Sequence, residues 1–219
     1  MVMKNPLNNY IGPLLWIFSI QYFVAQVIVM RAWEPGTFSL RGNTISDLGN
    51  TTCGTYAGRV VCSPRHGLMN VSFILLGVCM FFGALGIYRL VGPRTLHKLG
   101  YGTLALAGIG TIMVGLFPEN TIGLLHGIGA SMPFLIGNTG MLILGVSTAS
   151  PRWLRIYTFA SGAFALVALI LFVTGAYSVL GIGGTERLTA YPQTIWLMVC
   201  GLYYLPAFRQ KANLKRSTV

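Results

Sequence analysis

Asp47, Glu119, His66 and His126 are the groups in this sequence best suited to moving protons. The 219-residue chain holds only four carboxylates and three histidines, and these four residues flank apolar runs at positions that bring them to one level. His66 opens an apolar run with Asn70 at i+4, so both lie on one helix face about one turn apart. Glu119 and His126 lie on either side of the turn in FPENTIGLLHG, a hairpin tight enough to hold both at the same depth. Asp47 arrives from a long connection, in TISDLGN, where Ile45 and Leu48 are expected to dip into a membrane surface while Asp47 turns inward. Partial burial raises a carboxyl pKa toward the range useful for proton donation. The expected chemistry is therefore general acid catalysis by Asp47 or Glu119, tuned by His66 and His126, with Arg65 and Arg187 as the available cations. Asn70, Asn120, Trp16, Trp196, Tyr22 and Gln26 are the expected substrate-binding residues, because aromatic walls beside an acid suit a substrate that becomes cationic.

Each of these residues has a plainer alternative. Asp47 and Glu119 can simply cap helices, and a histidine at a membrane interface can sit there as an amphipathic group at headgroup level. Asn138, deeper in the same run as His126, needs a partner because an unpaired polar group in hydrocarbon costs several kcal/mol; Gln26 or Tyr101 is expected to supply it as interhelical glue. Close metal spacings such as H-x-x-x-H are absent, as are G-x-S-x-G, P-loop and dinucleotide motifs. No metal site and no cofactor are expected.

The elements that position these groups follow from composition. Hydrophobic residues make up 54% of the chain and charged residues 9%, with a mean hydropathy of +0.68, whereas soluble domains run near a quarter charged. A helical span needs roughly 20 apolar residues, and six stretches qualify: about 11–30, 67–88, 99–117, 124–146, 155–179 and 192–208. The expectation is an all-α, single-domain, six-helix integral membrane bundle over residues 1–219 with a retained first span. Lys4, Arg89, Arg94, Lys98, Arg152, Arg155, Arg209, Lys211, Lys215 and Arg216 would share one side, against Arg31, Arg41, Arg59, Arg65 and Arg187 on the other. By the positive-inside rule both termini are cytoplasmic. All four carboxylates, Glu34, Asp47, Glu119 and Glu186, then fall on the outer side. The net charge of +11 is spread over short connections and a tail, which fits anionic headgroups and argues against nucleic acid as a partner. The expected partners are the bilayer and a hydrophobic small molecule.

The connection between the first two spans, residues 31–66, is too long for a mere tie. Cys53 and Cys62 within it have the spacing of a disulfide in an oxidising compartment, worth roughly 2–3 kcal/mol on the chain-entropy estimate; a zinc site using both thiols and His66 is the alternative. Cys79 and Cys200 fall inside spans and are expected to be core residues. Glycines crowd the third and fourth spans, where small residues let helix backbones approach, so these two spans are expected at the centre. SFILLGV and GMLILGV are alike, but nothing around them extends the match into an inverted repeat.

The segments NTISDLGNTTCG, VCSPRHGLMNVSFILLG and GLFPENTIGLLHGIGA resemble the bacterial and archaeal six-span membrane proteins grouped as domain of unknown function 998. The combination of ISDLG, CSPxHxxMNxSF and FPENxxxxxH carries the resemblance, and it implies that Asp47, His66, Asn70, Glu119 and His126 match the family's characteristic positions. It implies no activity. In size and span number the chain is also similar to small bacterial membrane-embedded terpene cyclases, which implies cyclisation begun by protonating an alkene or epoxide; that is an analogy of architecture. The leading functional expectation is a prokaryotic plasma-membrane enzyme acting from an outer-facing polar pocket on a lipid-like or isoprenoid substrate. A transporter or lipid-binding protein with a non-reactive pocket, and an assembly partner of another membrane protein, are the alternatives.

Overall fold

The computed structural model describes residues 8–92, 94–147 and 150–205. The basic terminal segments that set the expected orientation, and the last three residues of the expected sixth span, lie outside the described residues.

Long helices dominate. The first span, Asn9–Met30, is built from α1 (Asn8–Phe18) and α2 (Ile20–Met30). It is interrupted at Ser19, whose amide and carbonyl make tight bonds to Trp16 and Tyr22. Then come α3 (His66–Val91) and α4 (Thr95–Leu116). The next span, Gly123–Ser147, joins α5 (Gly123–Ser131) and α6 (Asn138–Ser147) through a π-helical segment, Met132–Gly137. Two further long helices follow among the described residues, α7 (Arg152–Val173) and α8 (Gly181–Tyr204). Five of these units are long and apolar enough to cross a membrane. The sixth, α8, has the length at about 36 Å, but it carries Thr185, Glu186, Arg187, Thr189 and Gln193, all buried.

Here the boundaries differ from expectation. The fifth apolar run ends at Val173 rather than near 179, because Gly175 adopts a positive φ of 75° and the amide of Ala176 closes back on Leu171. The last helix starts eleven residues earlier than the expected 192. Its polar residues read as a loop in sequence, but they face protein rather than lipid. The chain is also not purely helical: the connection before α3 holds an antiparallel hairpin of β1 (Gly54–Tyr56) and β2 (Arg59–Val61).

The helices neighbour one another in chain order, and α8 closes the ring by packing on both α7 and α1. In the interior Trp16 lies 5.2 Å from Trp196 and 6.2 Å from Tyr101, centroid to centroid, and the Trp196 indole donates to Thr158 at 2.8 Å. These rings fill the core. Between α3 and α4 the backbones touch: a methyl added at Gly77 would meet the carbonyl of Gly108, and one at Gly108 the carbonyl of Gly77. The other side of α4 packs on α5 and α6. Gly108→Leu is therefore expected to lower the thermal midpoint in detergent by the equivalent of about 1–3 kcal/mol, with Gly102→Leu, in open space, as the control that stays near wild type.

Asn138 finds other partners than expected. It donates to the carbonyls of Phe134 at 2.8 Å and Thr189 at 3.3 Å, and accepts from Gln193 at 3.4 Å, while Gln26 accepts from Tyr191 at 2.8 Å. The Gln193 and Thr189 contacts tie α8 to the start of α6, and Gln193 also donates to the Pro133 carbonyl of the π-helical segment at 3.4 Å.

Candidate functional site

The connection before α3 turns down into one end of the ring. A 3-10 turn, Ser46–Gly49, sits there with Ile45 and Leu48 buried to 2% and 0% exposure, so these side chains insert into protein rather than into a membrane surface. Four side chains pin the backbone around this turn. Ser63 and Asn70 donate to the carbonyls of Leu48 and Gly49 at 2.7 and 2.9 Å. Arg187 donates to the carbonyls of Leu40 and Asn43 at 3.2 and 2.8 Å. The Glu186 carboxylate accepts from the Ile45 amide.

Asp47 does two jobs on the outer face of this turn. Its carboxylate accepts from the Thr44 amide at 2.9 Å while the Thr44 hydroxyl accepts from the Asp47 amide at 3.0 Å, a reciprocal cap. Both its oxygens also accept from Arg59, each at 2.9 Å, in the two-pronged geometry that suits a guanidinium. Arg59 reaches it from the hairpin. The turn at Ala57 and Gly58, both at positive φ, folds β2 onto β1, the Cys53–Cys62 disulfide closes the base, and Tyr56 pairs opposite Arg59. Partners opposite each other share a face. Tyr56 accordingly donates to the Glu119 carbonyl at 2.7 Å, and Arg59 stands 3.8 Å from the Glu119 carboxyl.

Asp47 and Glu119 thus flank one guanidinium, which bonds both oxygens of Asp47 and stands 3.8 Å from Glu119. Burial raises the pKa of Glu119, and the hydrogen bond and negative charge of Asp47 raise it further. Burial also works against the charged form of Asp47, but the hydrogen bonds from Arg59 and Glu119 outweigh it and lower its pKa. Of the two carboxyls, Glu119 is therefore held toward its protonated form and Asp47 toward its carboxylate. The pH dependence follows. Glu119, raised in the fold, contributes stability that is complete below the ordinary carboxylate range and is lost as pH rises through its folded value. Asp47, lowered in the fold, contributes stability present above the ordinary range and lost as pH falls through its folded value. Thermal midpoints against pH should show both arms, and Glu119→Gln should flatten the alkaline arm alone; an unchanged alkaline arm would contradict the raised pKa of Glu119.

A second set of contacts runs inward from the same turn. The Ser46 hydroxyl stands 3.0 Å from a Glu186 oxygen and 3.1 Å from Nε2 of His126, whose Nδ1 is 2.9 Å from the Phe117 carbonyl. A carbonyl only accepts, so Nδ1 carries a hydrogen and Nε2 faces Ser46. Two arrangements satisfy every contact. In one, a protonated Glu186 donates to Ser46 and Ser46 donates to a neutral imidazole. In the other, an imidazolium donates to Ser46 and Ser46 donates to a carboxylate. The two differ only in the position of protons along the row.

Ser46 and Glu186 also line a cavity of about 40 Å³, room for about three waters at roughly 10–15 Å³ each. Its other walls are mostly apolar: Tyr22 from α2, Phe73, Leu76 and Met80 from α3, Ala130 near the end of α5, and Pro133 and Phe134 at the start of the π-helical segment, with Thr111, Gln193 and Thr194 as the polar exceptions. Pi-helical turns recur at functional sites, and this one borders the cavity.

A family model described as protein of unknown function (DUF998) matches residues 17–203. The chain belongs to that family. No curated protein and no solved structure matches it.

In this DUF998 chain the residues expected from sequence are distributed over several places. Asp47 and Glu119 meet at the Arg59 clamp, and Asn120 braces the same turn by accepting from the Thr51 amide at 3.1 Å and donating to the Thr51 and Thr52 hydroxyls. His126 and Tyr22 lie at the inner row and cavity. His66 binds the Ser63 carbonyl at 3.0 Å, at the start of α3, and takes no part in either set. Asn70 holds the turn rather than facing the cavity, Gln26 pairs with Tyr191, and Trp16 and Trp196 belong to the aromatic core. Among the described residues no three His, Cys, Asp or Glu side chains cluster as a metal site, and Cys53 and Cys62 are joined to each other. Three residues of the site were not among the sequence candidates: Arg59, Ser46 and Glu186. The available signals were that Glu186 is one of only four carboxylates and that Ser46 adjoins Asp47.

Proposed function

We propose that this protein is a membrane-embedded enzyme that moves protons to and from the polar end of a lipid-like substrate. The observation that carries this reading is the row Glu186–Ser46–His126, with two of its members opening on a mostly apolar cavity. Proton transfer needs a donor and an acceptor within hydrogen-bond reach and a fixed tautomer, and the Phe117 carbonyl fixes it. The apolar walls suit a substrate whose reacting group terminates a hydrocarbon portion. A diacyl lipid and an isoprenoid both meet that description; at about 40 Å³ the cavity admits the end of either and not a folded chain, so the reacting end enters first.

In this reading α8 is a sixth span, both termini are cytoplasmic, and the site faces the outer side of a prokaryotic plasma membrane. The charge distribution of the connections supports that orientation, and so does the Cys53–Cys62 disulfide beside the site, since such bonds persist in oxidising compartments. The clamp of Asp47, Arg59 and Glu119 holds the turn that carries Ser46. The test is to purify wild type and Glu186→Gln in mild detergent and to identify the co-purifying lipids by mass spectrometry. A lipid that accumulates unconverted in the variant and appears as product in wild type supports the enzyme. The same unaltered lipid in both supports binding without reaction and ends this proposal.

A further inference from the structure

The inner row has a feature that proton transfer alone does not require: an alcohol stands between the two titratable groups. We infer that Ser46 is a nucleophile and that the substrate class is a carboxylic ester of a lipid, an inference that rests on the enzyme reading above. Three observations place the parts. The Ser46 oxygen is 3.1 Å from Nε2 of His126, the distance at which a base takes a hydroxyl proton. The Phe117 carbonyl, 2.9 Å from Nδ1, orients the imidazole as a third group does in serine hydrolases of unrelated fold. Ser46 is half-buried and lines the cavity, so a substrate end in the cavity meets its oxygen.

Glu186 completes the balance. In the arrangement with a protonated Glu186, its hydrogen is given to the Ser46 oxygen, and the Ser46 hydrogen is aimed at Nε2. The Ser46 oxygen bonds to the ester carbonyl carbon and its proton passes to His126. The bond to the alcohol oxygen breaks, and that oxygen takes the proton of Glu186. The acyl group is then on Ser46, with an imidazolium and a carboxylate beside it. Water attacks the acyl carbon and gives a proton to Glu186, the Ser46–acyl bond breaks, and the imidazolium returns its proton to Ser46. One ester and one water become one acid and one alcohol, and all three side chains are restored. The short turn that carries Ser46 begins a row of polar contacts rather than a G-x-S-x-G elbow, which is why motif reading does not find it.

A fluorophosphonate tests the nucleophile without knowledge of the lipid, because the serine oxygen displaces fluoride at phosphorus and fluoride needs no proton to leave. Intact wild-type protein in detergent is treated with an alkyl fluorophosphonate and digested, and the peptide between Arg41 and Arg59 is read by mass spectrometry. The expected result is one adduct on Ser46, absent in Ser46→Ala. His126→Gln should slow labelling by about 10²- to 10⁴-fold, the usual contribution of a general base. The wild-type rate should rise with pH as the imidazole loses its proton. No adduct on Ser46 in folded wild type overturns the inference, as does a rate that His126→Gln leaves unchanged. Failure here is separable from failure of the enzyme reading: lipid conversion that is lost in Glu186→Gln, with no label on Ser46 in wild type, keeps the proton-transfer enzyme and removes the nucleophile.

Discussion

Glu186→Gln is expected to cut lipid conversion by about 10²- to 10⁴-fold while leaving the thermal midpoint within the equivalent of about 1 kcal/mol of wild type. The reason lies in what an amide keeps and what it loses. The carboxylate accepts from the Ile45 amide through one oxygen and meets Ser46 through the other. An amide placed with its oxygen toward Ile45 turns its N–H₂ toward Ser46, and Ser46 then donates to Nε2 of His126. Every contact survives, so the fold has no reason to loosen. The row, however, is fixed in one of its two arrangements, since an amide neither releases nor accepts a proton at neutral pH. Conversion measured on co-purified or added lipid, alongside thermal unfolding, separates the outcomes. Turnover within a few-fold of wild type would make Glu186 a tie for the turn and nothing more. A large fall in midpoint would mean that the carboxylate's charge, rather than its geometry, holds the Ile45 amide.

What was legible in sequence divides along the range of the interactions. The membrane class was readable because hydropathy sums over some 20 residues, and five helices answer to it. The start of α8 was not. Thr185, Glu186, Arg187, Thr189 and Gln193 lower the hydropathy of that stretch, and only the fold shows that they are buried against the turn and the π-helical segment rather than exposed in a loop. The Cys53–Cys62 bond could be read from spacing, yet its consequence could not, because helix periodicity says nothing of a hairpin that returns Arg59 to Asp47. Asp47 and Glu119 could be placed at one depth from chain direction alone. Ser46 and Glu186 meet across a separation of 140 residues, and no local pattern joins them. Trp16 and Trp196 lie inside helices as their sequence context suggests, but only the fold shows that their rings pack on each other at 5.2 Å rather than beside Ser46.

Asp47→Asn should destabilise the protein by about 3 kcal/mol, at the low end of the range for breaking a buried ion pair. Asp47 is fully buried and Arg59 keeps only 15% side-chain exposure, so little water returns to the stranded guanidinium. The loss is held at the low end by Glu119. With the negative charge of Asp47 gone, the influences that kept the proton on Glu119 are reduced, and its carboxyl, 3.8 Å from Arg59, ionises and serves as the new counter-charge. Glu119→Gln alone removes a group that is already neutral and should change the midpoint little. The double variant leaves Arg59 with neither anion and should lose more than the sum of the singles; midpoints that add to within about 0.5 kcal/mol would rule out this substitution of one carboxylate for the other. Activity in Asp47→Asn then discriminates between two roles. The turn that carries Ser46 is held by the clamp, so conversion should fall together with the midpoint. Conversion abolished at an unchanged midpoint would instead make Asp47 the acid itself, and would shift the reacting groups from the inner row to the outer clamp.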